Sequence, residues 1–552
     1  MRLSKRVLGF LLVFSGLMQL GFCEFAAANI VTEGKSGQAG QPAVASIYDV
    51  RDYGATGTKE QPSKATMAAL QKAIDTCAAQ GGGTVYVGKG EYVTGQLNLR
   101  SNVRLFIDAG ATIYGSRDGN DWPRGRNGML HGENLVNVTV EGRGVLDGQA
   151  EHHWRPYTEK RDNEIQYRID ALKRDKVEGM PFVQFTRPTY NIIYLIDCKD
   201  VQVRGVTLRY APIWNSLYVR CERLIVDGVS IFSSLVKGMC SDGIDLMGCY
   251  DARIANCTIE TGDDCISLKS LDWDDKPVPV ENVTITNCRL TSSSSGVKIG
   301  DEIAAPVKHV LMDNCVITNS HRAFAFMILD GGTVSDVIIS NITIECKRYD
   351  WFWWGQGDAF YFKIGKRDEN SKIGRFENIL IKDVIAHVKG SSVINGHPDS
   401  PLTGLRFENI KLFMSDDPKA YFREAVDGIE GRYFKDLTLK DVEVVWGEPG
   451  SEKWKSALCL EDVDGLTLDG FVGRQAHIGS AEPAVVLKNV TGADIRNCRA
   501  VKDTGQFLQV EGERSKDIKL FGNDFSAAKT PHRTGKQAGK AITYSFGNAG
   551  CK

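Results

Sequence analysis

Asp242, Asp263 and Asp264 fall in two short segments, Cys-Ser-Asp-Gly-Ile-Asp (240–245) and Gly-Asp-Asp-Cys-Ile-Ser (262–267). Paired carboxylates hydrolyse glycosidic bonds, one protonating the leaving oxygen while another activates water. Three carboxylates crowded together cannot all ionise freely. Mutual repulsion raises one pKa and leaves a protonated acid beside ionised bases. Asp-Asp and Asp-Gly also mark turns, as Asp274-Asp275 and Asp416-Asp417 do elsewhere in this chain. Clustered carboxylates can also hold a hard cation such as calcium. The match between the two segments, set within a repeating chain, favours catalysis.

The repeat is what must position them. Val136-Asn137-Val138-Thr139-Val140-Glu141-Gly142 is one copy, and Ile254-Ala255-Asn256-Cys257-Thr258-Ile259 and Ile285-Thr286-Asn287-Cys288-Arg289-Leu290 belong to later ones. Copies start about 23 to 32 residues apart, a period that marks a solenoid. Within each copy apolar and polar residues alternate, rich in Val, Ile and Thr, which is strand chemistry. The expected fold is therefore all-β, a right-handed parallel β-helix. A leucine-rich repeat would show a leucine-asparagine consensus that is missing, and a propeller would need a longer period.

Residues 66–79 carry Met67, Leu70, Ala73, Ile74 and Cys77 at helical spacing, followed by Gly81-Gly82-Gly83. This reads as a helix capping the open N-terminal coil. Residues 152–183 break the repeat, with a helical excursion expected over 162–176. The β-helix domain is assigned to 47–530 and a polar C-terminal tail to 531–552.

Aligning Gly243-Ile244 with Cys265-Ile266 and Gly296-Val297 stacks Asp242 beneath Asp264, with Ser295 next. Asp245, Ser267 and Lys298 form a second row. Adjacent rungs lie about 4.8 Å apart. Carboxylates splayed around the bend can then reach the roughly 6.5–9.5 Å of an inverting glycosidase, and the shorter spacing of a retaining one stays open.

The 552 residues carry a net charge of −2, which gives no basic footprint for nucleic acid. Arg2, Lys5 and Arg6 precede an apolar run at 7–22 and then Ala26-Ala27-Ala28. Residues 1–28 read as an export signal for a periplasmic or secreted protein, because a run of about 16 residues is short for a membrane span. Cys23 raises lipid anchoring as the lesser alternative, since Phe22 before it is bulky. Export permits disulfides among the 14 cysteines. Cys257, Cys288, Cys315 and Cys498, however, each follow Asn at one place in the repeat and read as a buried ladder. No spacing suggests zinc.

At the acid segments the chain resembles glycoside hydrolase family 28, the polygalacturonases and related pectin hydrolases, within the pectate-lyase-like superfamily. Val50-Arg51-Asp52-Tyr53-Gly54-Ala55, Gly81-Gly82-Gly83-Thr84-Val85-Tyr86-Val87 and Ala211-Pro212-Ile213-Trp214 extend the resemblance, which runs from about 47 to about 415. The family's Asn-Thr-Asp corresponds to Cys240-Ser241-Asp242 and its Asp-Asp to Asp263-Asp264. The resemblance implies Asp263 as general acid, Asp242 and Asp264 activating water with inversion, and no metal or other cofactor. It implies a plant cell-wall-type polysaccharide or oligosaccharide as partner.

Two motifs depart from the family. Its Gly-His-Gly falls on Ser294-Ser295-Gly296, and its Arg-Ile-Lys on Ala325-Phe326-Met327, so the histidine and both cations are absent. The acids are kept while part of substrate recognition is changed. Lys269 and Lys298 are expected to take over carboxylate binding, with His321 and Arg322 as nearby cations and Asp245 and Ser295 lining the substrate. Trp214, Trp353 and Trp354 are expected to stack on sugar rings. Exo-action fits a cleft walled by 150–190 and the aromatic loop. Two further readings stay open: a polysaccharide lyase on the same fold, and a non-catalytic carbohydrate-binding solenoid.

Overall fold

The backbone from residue 46 onward winds into coils whose strands stack in register. The computed structural model describes residues 46–156, 183–185, 188–271, 274, 276–349, 355–417 and 425–550. Among the described residues, thirty-eight strands form one sheet. Its pairings are parallel, as in Ile244–Met247 on Ile266–Lys269 and Tyr250–Ala255 on Val280–Thr286. This is the expected parallel β-helix.

Alternation places one side of each strand inside the coil. Val201, Leu224, Ala252, Val283 and Val310 stack from rung to rung and are all buried. Further along, Phe326 stacks on Phe362 with centroids 4.8 Å apart, and Phe324 on Phe360 at 6.0 Å. Such offset aromatic pairs add to plain apolar burial.

The mid-copy asparagines are bends. Asn256, Asn287 and Asn314 take φ of 58°, 53° and 55°, a left-handed conformation that asparagine tolerates better than most residues. Their side chains form a ladder: Asn287 Nδ2 donates to Asn256 Oδ1 at 3.3 Å and Asn314 Nδ2 to Asn287 Oδ1 at 2.5 Å. Cys257, Cys288 and Cys315 follow them, buried as free thiols. Cys498 is likewise a buried free thiol, as the ladder reading expected.

The cap is the helix Ser63–Ala79, which buries Leu70, Ala73, Ile74 and Cys77 over the first coil. Behind it, Gly82 and Gly83 are required by space. A Cβ on Gly82, whose φ is +112°, would lie 2.4 Å from the Asn102 carbonyl oxygen. Strands Trp154–Pro156 and Val183–Phe185 pair antiparallel at the root of the excursion. The helix expected at 162–176 lies outside the described residues, as do the export signal with Cys23, and Trp353 and Trp354.

The expectation of a strand-poor tail from 531 is corrected. Ala528–Thr534 pairs with Thr504–Glu511, and Ile542–Phe546 with Lys516–Phe521. A rung is built by backbone hydrogen bonds, which polar side chains do not prevent. The last rung has a neighbour on one side only, so its side chains remain solvated: Tyr544 is 52% and Phe546 71% exposed. No helix of the described residues is long and apolar enough to cross a membrane.

Candidate active site

The sheet containing Ile244–Met247, Ile266–Lys269 and Ser295–Ile299 carries the acids at its leading edge. The Gly243 N–H donates to the Asp264 carbonyl at 2.9 Å, and the Cys265 N–H to the Ser295 carbonyl at 2.9 Å. Asp242, Asp264 and Ser295 therefore stack as expected. Register pairs Asp245 with Ser267, Ser267 with Lys298 and Lys298 with Ala325, which confirms the second row.

Local contacts fix each acid. Thr261 Oγ1 and Ser292 Oγ donate to the Asp263 carbonyl at 2.8 and 2.6 Å. Gly262 allows the close turn before it, since a Cβ there would lie 2.4 Å from the carbonyl oxygens of Gly238 and Ser234. Asn215 donates from its N–H (2.8 Å) and Nδ2 (3.0 Å) to the Asp242 carbonyl. Ser294 Oγ and the Ser295 N–H donate to Asp264 Oδ1 at 2.9 and 3.1 Å. These two serines, at the place of the motif whose histidine is missing, thus hold the Asp264 carboxylate.

Asp242, Asp263 and Asp264 each present an oxygen within 4.8 Å of the others. That is tighter than the separation expected from the rows, because the side chains converge instead of splaying. Burial comes first among the causes that push Asp263 up to about 8, followed by the charge of Asp264. Burial also drives Asp242 well above the carboxylate range, reinforced by Asp245 and Asp263. Asp242 Oδ1 is buried and without a hydrogen-bond partner. Asp264 instead accepts from Ser294 and Ser295 and pairs with Lys298.

The lysines are committed within the site. Lys298 Nζ lies 3.2 Å from Asp264 Oδ2 and 3.1 Å from Asp301 Oδ1. Lys269 Nζ lies 3.4 Å from Asp245 Oδ1, 3.9 Å from Glu302 Oε2 and 4.2 Å above the Trp214 ring. For Lys269, burial lowers the pKa, but Glu302, Asp245 and Asp242 outweigh it and hold the ammonium charged. Each lysine expected to bind a substrate carboxylate is thus paired with the site's own acids.

His321 and Arg322 are buried. Burial, then the Arg322 charge, drives His321 down to about 3, so it is neutral. Arg322 Nε lies 2.9 Å from Asp358 Oδ2, with its guanidinium 4.0 Å over Tyr361 and only 6% of the residue exposed. Asp301 and Glu302 were missed from sequence. The signal was there, an acid pair directly after Lys298-Ile299-Gly300, but only the fold turns it toward both lysines.

A parallel β-helix with three converged aspartates on one strand face has the groups a polysaccharide-cleaving protein needs. Residues 77–424 match the model of Glycosyl hydrolases family 28. The chain belongs to this family and is a glycoside hydrolase. It is 25% identical over 393 residues to the "Probable polygalacturonase" of Vitis vinifera, covering 67% of this chain and 74% of that protein. The exopolygalacturonase of Thermotoga maritima superposes with a TM-score of 0.56 at 22% identity, covering 72% of this chain and 92% of that one. The family 28 exopolygalacturonase of Yersinia enterocolitica gives 0.60 at 17% identity, covering 78% and 79%. These two likenesses are of fold.

Proposed function

We propose that the protein hydrolyses glycosidic bonds in pectin-type polysaccharide or oligosaccharide, with Asp263 as general acid and Asp264 as the principal base, Asp242 sharing the attacking water. The polygalacturonase names of its relatives support the substrate class. The observation that carries the chemistry is the contrast between neighbouring carboxylates. Asp263 is pushed up to about 8 by burial and by Asp264, so it holds a proton at neutral pH. Asp264 is held by Ser294, Ser295 and Lys298. Two environments set two roles.

Asp263 protonates the leaving oxygen as the bond to the anomeric carbon breaks. A water between Asp264 and Asp242 loses its proton to Asp264 and attacks the same carbon. Two acceptor oxygens within 4.8 Å can both be reached by one water.

The test is to offer purified protein a panel of pectic polysaccharides and oligosaccharides and analyse the products. Release of new reducing ends by the wild type and none by Asp263→Asn is expected. A product absorbing in the ultraviolet would instead mean elimination, and no turnover on any member would sink the reading. Product sizes also separate the chain-end cutting proposed here from internal cutting. We place the reaction outside the cytoplasm because of residues 1–28; the mass of the mature protein checks their removal.

A further inference from the structure

On the side of the earlier coils, the catalytic strand face changes character. The outward row Asn98, His131, Tyr194, Leu217, Asp245, Ser267, Lys298 is apolar at Tyr194 and Leu217, the two coils before Asp245. The next row, Glu133, Ile196, Val219, Met247, Lys269, is apolar from Ile196 to Met247 and changes one coil later. Tyr194, Leu217, Val219 and Met247 form an apolar cluster of their own, separate from the interior core, with Ile196 and Trp214 packed against it. A cavity of about 290 Å³ opens over this cluster. Its lining includes Tyr194, Ile213, Trp214, Leu217 and Cys240, the last only two residues before Asp242. This is the small end of the ligand-pocket range of roughly 300–1,000 Å³, suited to one sugar unit.

We infer that this cavity seats the glycosyl unit next to the scissile bond, and that this unit carries no free carboxylate: a methyl-esterified uronate or a neutral sugar. The inference rests on the hydrolase reading above and names its substrate class. Rungs are about 4.8 Å apart, so Leu217, one rung from Asp245, lies within the reach of one sugar unit. Aromatic and aliphatic walls suit the C–H face of a sugar ring and an ester methyl. An ionised carboxylate would lose its hydration against them.

Charge argues the same way independently. Asp264, Asp301 and Glu302 crowd the adjoining coils, and Lys269 and Lys298 are both paired to acids of the site. A uronate brought beside this group meets repulsion, which selects against it. Asn127 and Asn191 also line the cavity, and their side-chain oxygens are buried without a hydrogen-bond partner, which leaves acceptors for sugar hydroxyls. Arg126 is the cation of the lining and lies against the Tyr194 hydroxyl.

The test uses full-length Asp263→Asn protein and calorimetric binding of a matched pair, oligogalacturonate and its methyl-esterified form. Tighter binding of the ester by roughly 10-fold or more is expected, as for one added methyl in an apolar pocket. Leu217→Lys should reverse the preference, and Leu217→Gln should weaken it if the lysine variant does not fold. Equal or tighter binding of the free acid overturns the inference, and so does loss of that acid's binding in Arg126→Met. Because binding is read without turnover, this result is separate from the hydrolase reading, which fails only if the wild type cuts nothing.

Discussion

Lys298 Nζ sits 3.2 Å from Asp264 Oδ2, with the carboxylate 2% and the lysine side chain 21% exposed. Burial alone would strip the lysine of its proton; Asp264, Asp301 and Asp263 outweigh burial and push its pKa well up. The pair fixes the charge and the direction of the base.

Lys298→Met should therefore act on kcat. A buried carboxylate without its cation gains a proton more readily and loses its power as a base. A fall in kcat of about 10²-fold or more is expected, the scale of a lost general base, with KM nearly unchanged and partial recovery in Lys298→Arg. A KM rise at constant kcat would show instead that Lys298 binds a substrate carboxylate.

Asp263→Asn should remove activity and raise stability. In the unfolded chain the aspartate releases its proton near pH 4, whereas in the fold burial and Asp264 hold it up to about 8. Between those values the unfolded chain binds fewer protons than the native one, so stability falls as pH rises through this window. Asparagine never ionises. The variant should melt a few degrees above wild type at pH 7 and with little advantage at pH 4. Equal melting points at both pH values would deny the buried proton.

The rate profile should show the same cluster. Above about pH 8 the acid is lost and kcat/KM should fall. A kcat/KM that stays flat above about pH 8 would deny Asp263 the role of acid.

Product stereochemistry tests the shared water. Asp242 and Asp264 each offer an oxygen within 4.8 Å of the other, and direct displacement by water held between them inverts the anomeric carbon. Early proton NMR of the released sugar should show the inverted anomer. Retention would require a covalent step and make one of these aspartates a nucleophile.

The rows of the site were legible in the sequence because each rung carries its own anchor: Gly243, Cys265 and Gly296 mark the bend, and a strand follows at fixed register. That was enough to place Lys298 beside Ser267. It was not enough to show that Lys298 points back at Asp264, because ion pairing depends on side-chain convergence across rungs. Asp301 and Glu302 were invisible for the same reason. His321 looked like a cation because burial is not written in a residue's type. The final rungs looked like a tail because their side chains are polar, although backbone pairing alone continues the coil.

The Arg322–Asp358 pair gives the last test. The two residues are register partners, both almost fully buried, and joined at 2.9 Å. Asp358 also accepts the Gln356 N–H at 2.7 Å, so it anchors the turn into its own strand. Asp358→Ala leaves a guanidinium buried without its counter-charge, a loss on the order of 3–5 kcal/mol. A clear drop in the thermal midpoint is expected. Arg322→Met combined with Asp358→Leu should recover much of it, since an apolar pair of similar volume avoids the desolvation cost. In Arg322→Met alone, KM should stay within a few-fold of wild type wherever the protein is folded. If Arg322→Met instead kept the melting point and raised KM steeply, Arg322 would be a substrate-binding cation and the structural role argued for it here would be wrong.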